Sequence, residues 1–175
     1  TMPLLRAKEL KAIIDIGQVS HALCDAALAE EMRLTALDTP LLRHLRHFNY
    51  EGPDSLEAAM ERASPYFTNV DTASDDTCLL GFTSGTTGVP KATMHFHRDV
   101  MAICHCWPPH MLKPTADDVF IGSPPLAFTF GLGGLLLFPL SIGATAVLLE
   151  KAGPPQLLQG IQDFGATVVF TAPTS

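Results

Sequence analysis

The chain is 175 residues long, about the size of one ordinary domain, and with 47% hydrophobic and 17% charged residues it can bury a sizeable core. A formal net charge of -7 at pH 7 excludes broad electrostatic attraction to nucleic acid or to an anionic membrane surface, so any phosphate site must be local. The four cysteines, Cys24, Cys78, Cys104 and Cys106, are scattered through a chain that needs no staples, which points to a reducing, cytoplasmic setting and not to a disulfide framework.

Apolar residues at Leu4, Leu5, Ala7, Leu10, Ile13 and Ile14 predict an amphipathic helix, and after Gly17 the run from Val19 to Cys24 leans to strand. Asp25 can cap a second helix, AALAEEM, and a strand is expected near Leu42 to Phe48. Ser55 opens a third helix, SLEAAMERA, and the polar stretch from Asn69 to Asp76 reads as a linker. It divides a lead-in over 1–70 from a second unit over 71–175. From Thr77 the order is strand (CLLGF), loop (TSGTTGVP), strand (KATMHF), helix (Arg98 to Cys106) and strand (Val119 to Ser123). A Gly-rich helix from about Gly131 to Leu140 follows, then a strand from Ala144 to Glu150, the helix PPQLLQGIQDF and a strand from Thr167 to Phe170. This alternation predicts an α/β fold, a mainly parallel sheet flanked by helices. No apolar run reaches the roughly 18 to 20 residues of a membrane span. The start lacks both Met and the order of a signal peptide, and TVVFTAPTS stops directly after an apolar run, so an internal fragment of a longer chain is expected.

Every residue from Thr83 to Gly88 is Gly, Ser or Thr. Gly85 and Gly88 permit positive φ and close backbone approach, and the hydroxyls of Ser84, Thr86 and Thr87 can donate to phosphate oxygens. Lys91 adds one positive charge. In a Walker A loop the Lys follows the Gly directly at the start of a helix, whereas here Val89 and Pro90 intervene and β-compatible residues follow, so that reading fails on spacing. A Gly/Thr/Ser hairpin turn without a ligand is the plain alternative.

The nine residues TSGTTGVPK resemble the phosphate-binding signature of the adenylate-forming superfamily, the acyl- and aryl-CoA ligases, luciferases and peptide-synthetase adenylation domains. HRD at His97 to Asp99, PPLAFTFGLGG from Pro124 to Gly134, SIGATAVLLE and ATVVFTAPTS are similar to later segments of the same family. The resemblance is strong from Thr77 onward and weaker before it. It implies a partial N-terminal domain of an enzyme that joins a carboxylic acid to ATP as an acyl-adenylate and then transfers the acyl group to a thiol such as CoA. It also implies that Thr83, Ser84, Gly85, Thr86, Thr87, Gly88 and Lys91 hold the triphosphate, with Mg2+ assisting from ligands mostly outside these residues. Phe128, Thr129, Phe130 and Gly131 match the acyl pocket, most like that of benzoate and 2-aminobenzoate ligases, and His97 is implied to lie near the nucleotide. The Mg2+-binding, ribose-binding and adenylation-Lys segments and the C-terminal domain have no match here, so the chain alone is expected to be inactive. An amino-acid adenylation domain and a non-catalytic nucleotide-binding domain remain open. Phe128 and Phe130, at i and i+2, would also suit a half-buried strand.

Cys104, His105, Cys106 and His110 invite a zinc site, yet two thiols at i and i+2 on a helix point in different directions, and no metal site is expected. His44 and His47 read as a solvated basic face beside Arg43 and Arg46, His95 and His97 as flanking Phe96 on a strand, and Trp107 as ending its helix.

Overall fold

Helix α1 (Ala7–Gly17) begins after Arg6, whose backbone N–H donates to Glu9 Oε2 at 3.1 Å, and it turns Leu10 and Ile14 inward at i, i+4 spacing. Strand β1 (His21–Asp25) pairs in parallel with β2 (His44–Phe48), with His21 opposite His44 and Asp25 opposite Phe48. Asp25 accepts from Ala27 N–H at 2.8 Å and so tightens residues 26–28 into a 3-10 turn; the regular helix α2 (Ala29–Asp38) starts later than the sequence suggested. The α1–α2 contact is polar but satisfied. Thr35, 1% exposed, donates to the Glu31 carbonyl at 2.7 Å and shares the Ala7 carbonyl at 3.3 Å, while Glu31 Oε2 accepts from Ala7 N–H at 2.8 Å. Helix α3 (Leu56–Glu61) is capped by Ser55, whose buried hydroxyl accepts from Ala58 N–H at 3.1 Å. Ser55→Ala should cost about 1 kcal/mol in urea unfolding and Ser55→Gly only a few tenths, because a glycine without Cβ lets water reach the orphaned Ala58 N–H.

The computed structural model describes residues 2–83 and 90–172. The chain divides into two units: residues 1–73 with 79–94, and residues 74–78 with 95–175. Strands β3 (Thr77–Thr83) and β4 (Lys91–Phe96) form a two-stranded sheet, and each runs from one unit into the other.

In the second unit α4 (His97–Cys106) and the single turn α5 (Pro108–Met111) lead to β5 (Val119–Gly122). Then come α6 (Thr129–Leu132), a π-helical stretch Gly133–Leu137, α7 (Phe138–Ile142), β6 (Thr145–Val147), α8 (Pro154–Phe164) and β7 (Val168–Phe170). The sheet order is β6-β5-β7 with both pairings parallel, as the α/β alternation predicted. β5 lies at its centre, and its Phe120 and Ile121 are fully buried on opposite faces. Phe120 packs with Leu135 and Phe170; Ile121 packs with Val147 and Leu157 of α8. Gly160 permits that second layer, since a Cβ there would stand 2.7 Å from Ile121 Cδ1.

The Gly-rich helix runs longer than expected, from Thr129 to Ile142, because a π turn carries it past the Gly133–Gly134 pair. The Phe138 N–H donates to the Gly133 carbonyl, five residues back, and Gly143 at φ 72° ends the helix. The strand expected over 144–150 shortens to Thr145–Val147, because β5 offers partners only from Val119 to Ile121.

Asp118, just before β5, accepts from Thr115 N–H at 2.6 Å and from the Thr167 hydroxyl at 2.7 Å. The Thr115 amide first and the Thr167 hydroxyl second hold its carboxyl below the ordinary carboxylate value. A depressed folded-state pKa contributes stability above the unfolded value and loses it as pH falls through the folded one. The stability difference between wild type and Asp118→Asn should therefore be full at neutral pH and shrink on acidification below the carboxylate range, as urea midpoints measured across pH would record.

Candidate functional site

The phosphate-loop candidates lie on the β3–β4 hairpin. Thr83 is the last residue of β3 and Lys91 the first of β4; both are exposed, so an ammonium and a hydroxyl stand at the two ends of the loop. Ser84, Gly85, Thr86, Thr87 and Gly88 lie outside the described residues. Within the hairpin the Thr93 hydroxyl donates to the Gly81 carbonyl at 3.0 Å. Toward its base, Arg98 N–H donates to the Ser74 carbonyl at 3.0 Å, and the guanidinium pairs with Asp75 and covers the Phe96 ring at 4.8 Å. Asp99 Oδ2 accepts from Phe96 N–H at 2.9 Å and caps α4. His97 is the first residue of that helix and is exposed, not a strand residue as the alternation around Phe96 suggested; the cap by Asp99 starts the helix one residue sooner.

The acyl-pocket candidates lie in the second unit, beyond the carboxyl end of β5. Pro124 and Pro125 cannot extend the ladder, and the chain turns so that Phe128 N–H donates to the Pro125 carbonyl at 3.0 Å. Phe128 is extended (φ -102°, ψ 146°) and precedes the first turn of α6, which carries Thr129 and Phe130; it is not a strand residue. Phe128 is 54% and Phe130 48% exposed, and Thr129 is exposed too. Gly131 is buried against the turn, where a Cβ would collide with the carbonyl oxygens of Pro124 and Pro125. Phe128, Thr129 and Phe130 thus leave two half-open rings and a hydroxyl at the surface of a turn whose backbone the buried Gly131 holds tight.

Sequence reasoning missed what supports that surface. Phe170, at the end of β7, is 7% exposed, and its ring meets Phe130 edge-on with centroids 5.6 Å apart and an interplanar angle of 61°. Trp107 bridges α4 and α5 and packs on Phe138 at 6.0 Å and on Phe170 at 6.4 Å, a larger part than ending its helix. The available signal was weak: an aromatic closing an apolar strand looks like any core residue.

The remaining candidates have structural roles. Cys104 is buried, with its thiol toward the Leu137 carbonyl at 3.6 Å, while Cys106 is exposed, so the two thiols do point apart. His44 stacks on His21 at 4.3 Å, and His47 Nδ1 is buried with no hydrogen-bond partner among the described residues. Among the described residues no three His, Cys, Asp or Glu side chains could hold a metal ion, and no helix is long and apolar enough to cross a membrane. An open hollow of about 540 Å3 in the first unit, lined by Leu5, Leu10, Leu23, Leu28 and Phe48 among others, contains none of the site residues.

A parallel α/β sheet that offers exposed aromatic and hydroxyl groups just past its strand ends has the form of a small-molecule-binding enzyme, in which ligands sit outside the carboxyl ends of the strands. A family model described as AMP-binding enzyme matches residues 1–175, and the chain belongs to that family. Its members are adenylate-forming and use ATP. Over 136 residues the chain is 35% identical to a benzoate–CoA ligase of Thauera aromatica, a match covering 77% of this chain and 26% of that protein. Among solved structures it is similar to the anthranilate CoA ligase AuaEII in complex with anthranoyl-AMP, with a TM-score of 0.88, 25% identity, and coverage of 97% of this chain and 33% of that one. ATP-bound MatB from Rhodopseudomonas palustris matches with a TM-score of 0.79 and 25% identity, over 95% of this chain and 32% of that one. The chain therefore spans about a quarter to a third of the length of these relatives.

Proposed function

We propose that this chain is part of the large N-terminal domain of an aryl-CoA ligase, which activates a benzoate-like acid with ATP to an acyl-adenylate and then forms the CoA thioester. The observation that carries the aryl reading is the pair of half-exposed rings, Phe128 and Phe130, beyond the end of β5 in a chain of this family. A flat aromatic surface next to the small Thr129 and Gly131 suits a planar acid, whereas a long acyl chain needs a tunnel.

The first step brings a carboxylate to a polyphosphate, and two anions must meet. The protein can lower that barrier by neutralising charge and holding the reactants in line. Lys91 and the hydroxyl-rich loop from Thr83 to Gly88 serve the triphosphate in this reading, and His97 lies toward the nucleotide. Mg2+ would accompany ATP on ligands from outside the 175 residues and supply further charge neutralisation. The segments for Mg2+, ribose and the adenylation Lys, and the C-terminal domain, likewise come from outside, so the 175 residues alone do not turn over. The free cysteines suit a cytoplasmic setting.

The test is acid-dependent exchange of pyrophosphate into ATP by the complete enzyme, with benzoate, 2-aminobenzoate and octanoate compared. An aromatic acid should exceed octanoate in kcat/KM by about tenfold or more. Preference for octanoate would reject the aryl reading, and robust exchange by the 175-residue chain would reject its dependence on further segments.

A further inference from the structure

We infer that Phe170 is a positioning residue of the acyl site: its immobile ring holds Phe130 edge-on with one face open, and so sets the slot that an aryl acid enters. This rests on the reading of Phe130 as a pocket wall.

Phe170 is buried among several partners. Its ring stacks on Phe120 at 6.3 Å and 15°, and meets Phe138 at 6.2 Å and Trp107 at 6.4 Å. Its carbonyl accepts from Ser123 N–H at 3.0 Å, and a Cβ on Gly122 would collide with that same oxygen. Behind the ring is the helix backbone at Gly134, where a Cβ would stand 2.5 Å from the ring carbons. Any side chain at 134 would push the ring away. Glycines at 122 and 134 thus let a large aromatic sit flush between β5 and the π-helical stretch.

Phe130 differs. It is 48% exposed, on the first turn of a four-residue helix, and the ring contact the structure gives it is the T-shaped one to Phe170. A half-exposed phenyl with a free χ1 would sample several rotamers, and each would present a different wall. The edge-to-face contact selects one of them. Aryl binding then meets a wall that is already oriented, and little ordering cost remains. Phe170 itself, being buried, acts only through Phe130.

The test compares Phe170→Leu, Phe130→Leu, the double variant and Leu157→Ala in the complete enzyme, by benzoate-dependent exchange of pyrophosphate into ATP. Leu157 packs with Ile121 on the face of β5 away from Phe170, so its variant reports generic core damage. Phe170→Leu should raise KM for benzoate roughly three- to tenfold with KM for ATP and kcat little changed, a size set by aromatic pair strengths. Leu157→Ala should leave KM for benzoate near wild type, and the double variant should be no worse than Phe130→Leu, since one residue acts through the other. Should Phe170→Leu fail to fold, judged by circular dichroism, Phe170→Met and Gly134→Ala take its place with the same expectation. Unchanged KM for benzoate, a parallel rise in KM for ATP, equal effects of Leu157→Ala, or additive effects in the double variant would overturn the inference and leave the aryl reading standing. Absence of benzoate-dependent exchange in the wild type would remove both.

Discussion

Replacing Lys91 by alanine should lower acid-dependent exchange of pyrophosphate into ATP by about a hundredfold or more, the usual loss when one preorganised donor to developing charge is removed. No other Lys or Arg lies between Thr77 and Phe96, and the chain carries a formal net charge of -7, so no neighbour in sequence replaces the ammonium. Its position is fixed by backbone, not by a flexible tail: Lys91 is the first residue of β4. Lys91→Arg should recover only part of the activity, because a planar guanidinium differs in shape and reach from the compact ammonium. Lys151→Ala, an exposed lysine between β6 and α8, should change little and controls for net charge. Equal activity in Lys91→Ala and Lys151→Ala would remove Lys91 from the site.

Phe120→Ala should destabilise the protein by about 3 to 5 kcal/mol, read as a lower midpoint in urea. Phe120 is fully buried on the central strand, between Leu135 and Phe170, and its ring stacks on Phe170. Truncation loses the transfer energy of the ring and leaves a cavity that a parallel strand, held on both sides, cannot close. Phe164→Ala, at 57% exposure on the last turn of α8, should stay within about 0.5 kcal/mol of wild type. A similar loss in both variants would contradict this account of the core.

The α/β class could be read in the sequence because short apolar runs alternate with amphipathic helices, and the parallel pairings β1–β2, β5–β6 and β5–β7 follow from that alternation. Boundaries were harder. Whether Ala26 begins an α-helix depends on the Asp25 side chain, and whether Leu148 continues a strand depends on how far β5 extends, a partner distant in sequence. Phe128 and Phe130 illustrate the same limit: their spacing fits a strand, and only the prolines before them and the turn closed at Pro125 place them on a helix start. Thr83 and Lys91 were legible as candidates from local composition alone. Phe170 was not, since its role comes from two distant glycines and from Phe130.

The π turn at Gly133–Leu137 means that this helix holds one residue more than regular α-helical winding between the same endpoints would take. A single-codon deletion within Gly133–Leu137 would let the remaining residues close into regular α-helix between the same ends, so Phe130 and Gly131 could keep their phase relative to Phe138 and Gly143. A single-codon insertion has no such slack. Placed between Phe130 and Leu135, it would rotate the first turn by about 100° relative to the buried Leu135, swing Phe130 off Phe170 and take Gly131 from the proline carbonyls that demand it. The segment therefore tolerates changes of length in one direction only: a lost residue can be absorbed, whereas a gained one would dismantle the aromatic wall while leaving every residue of that wall in the gene.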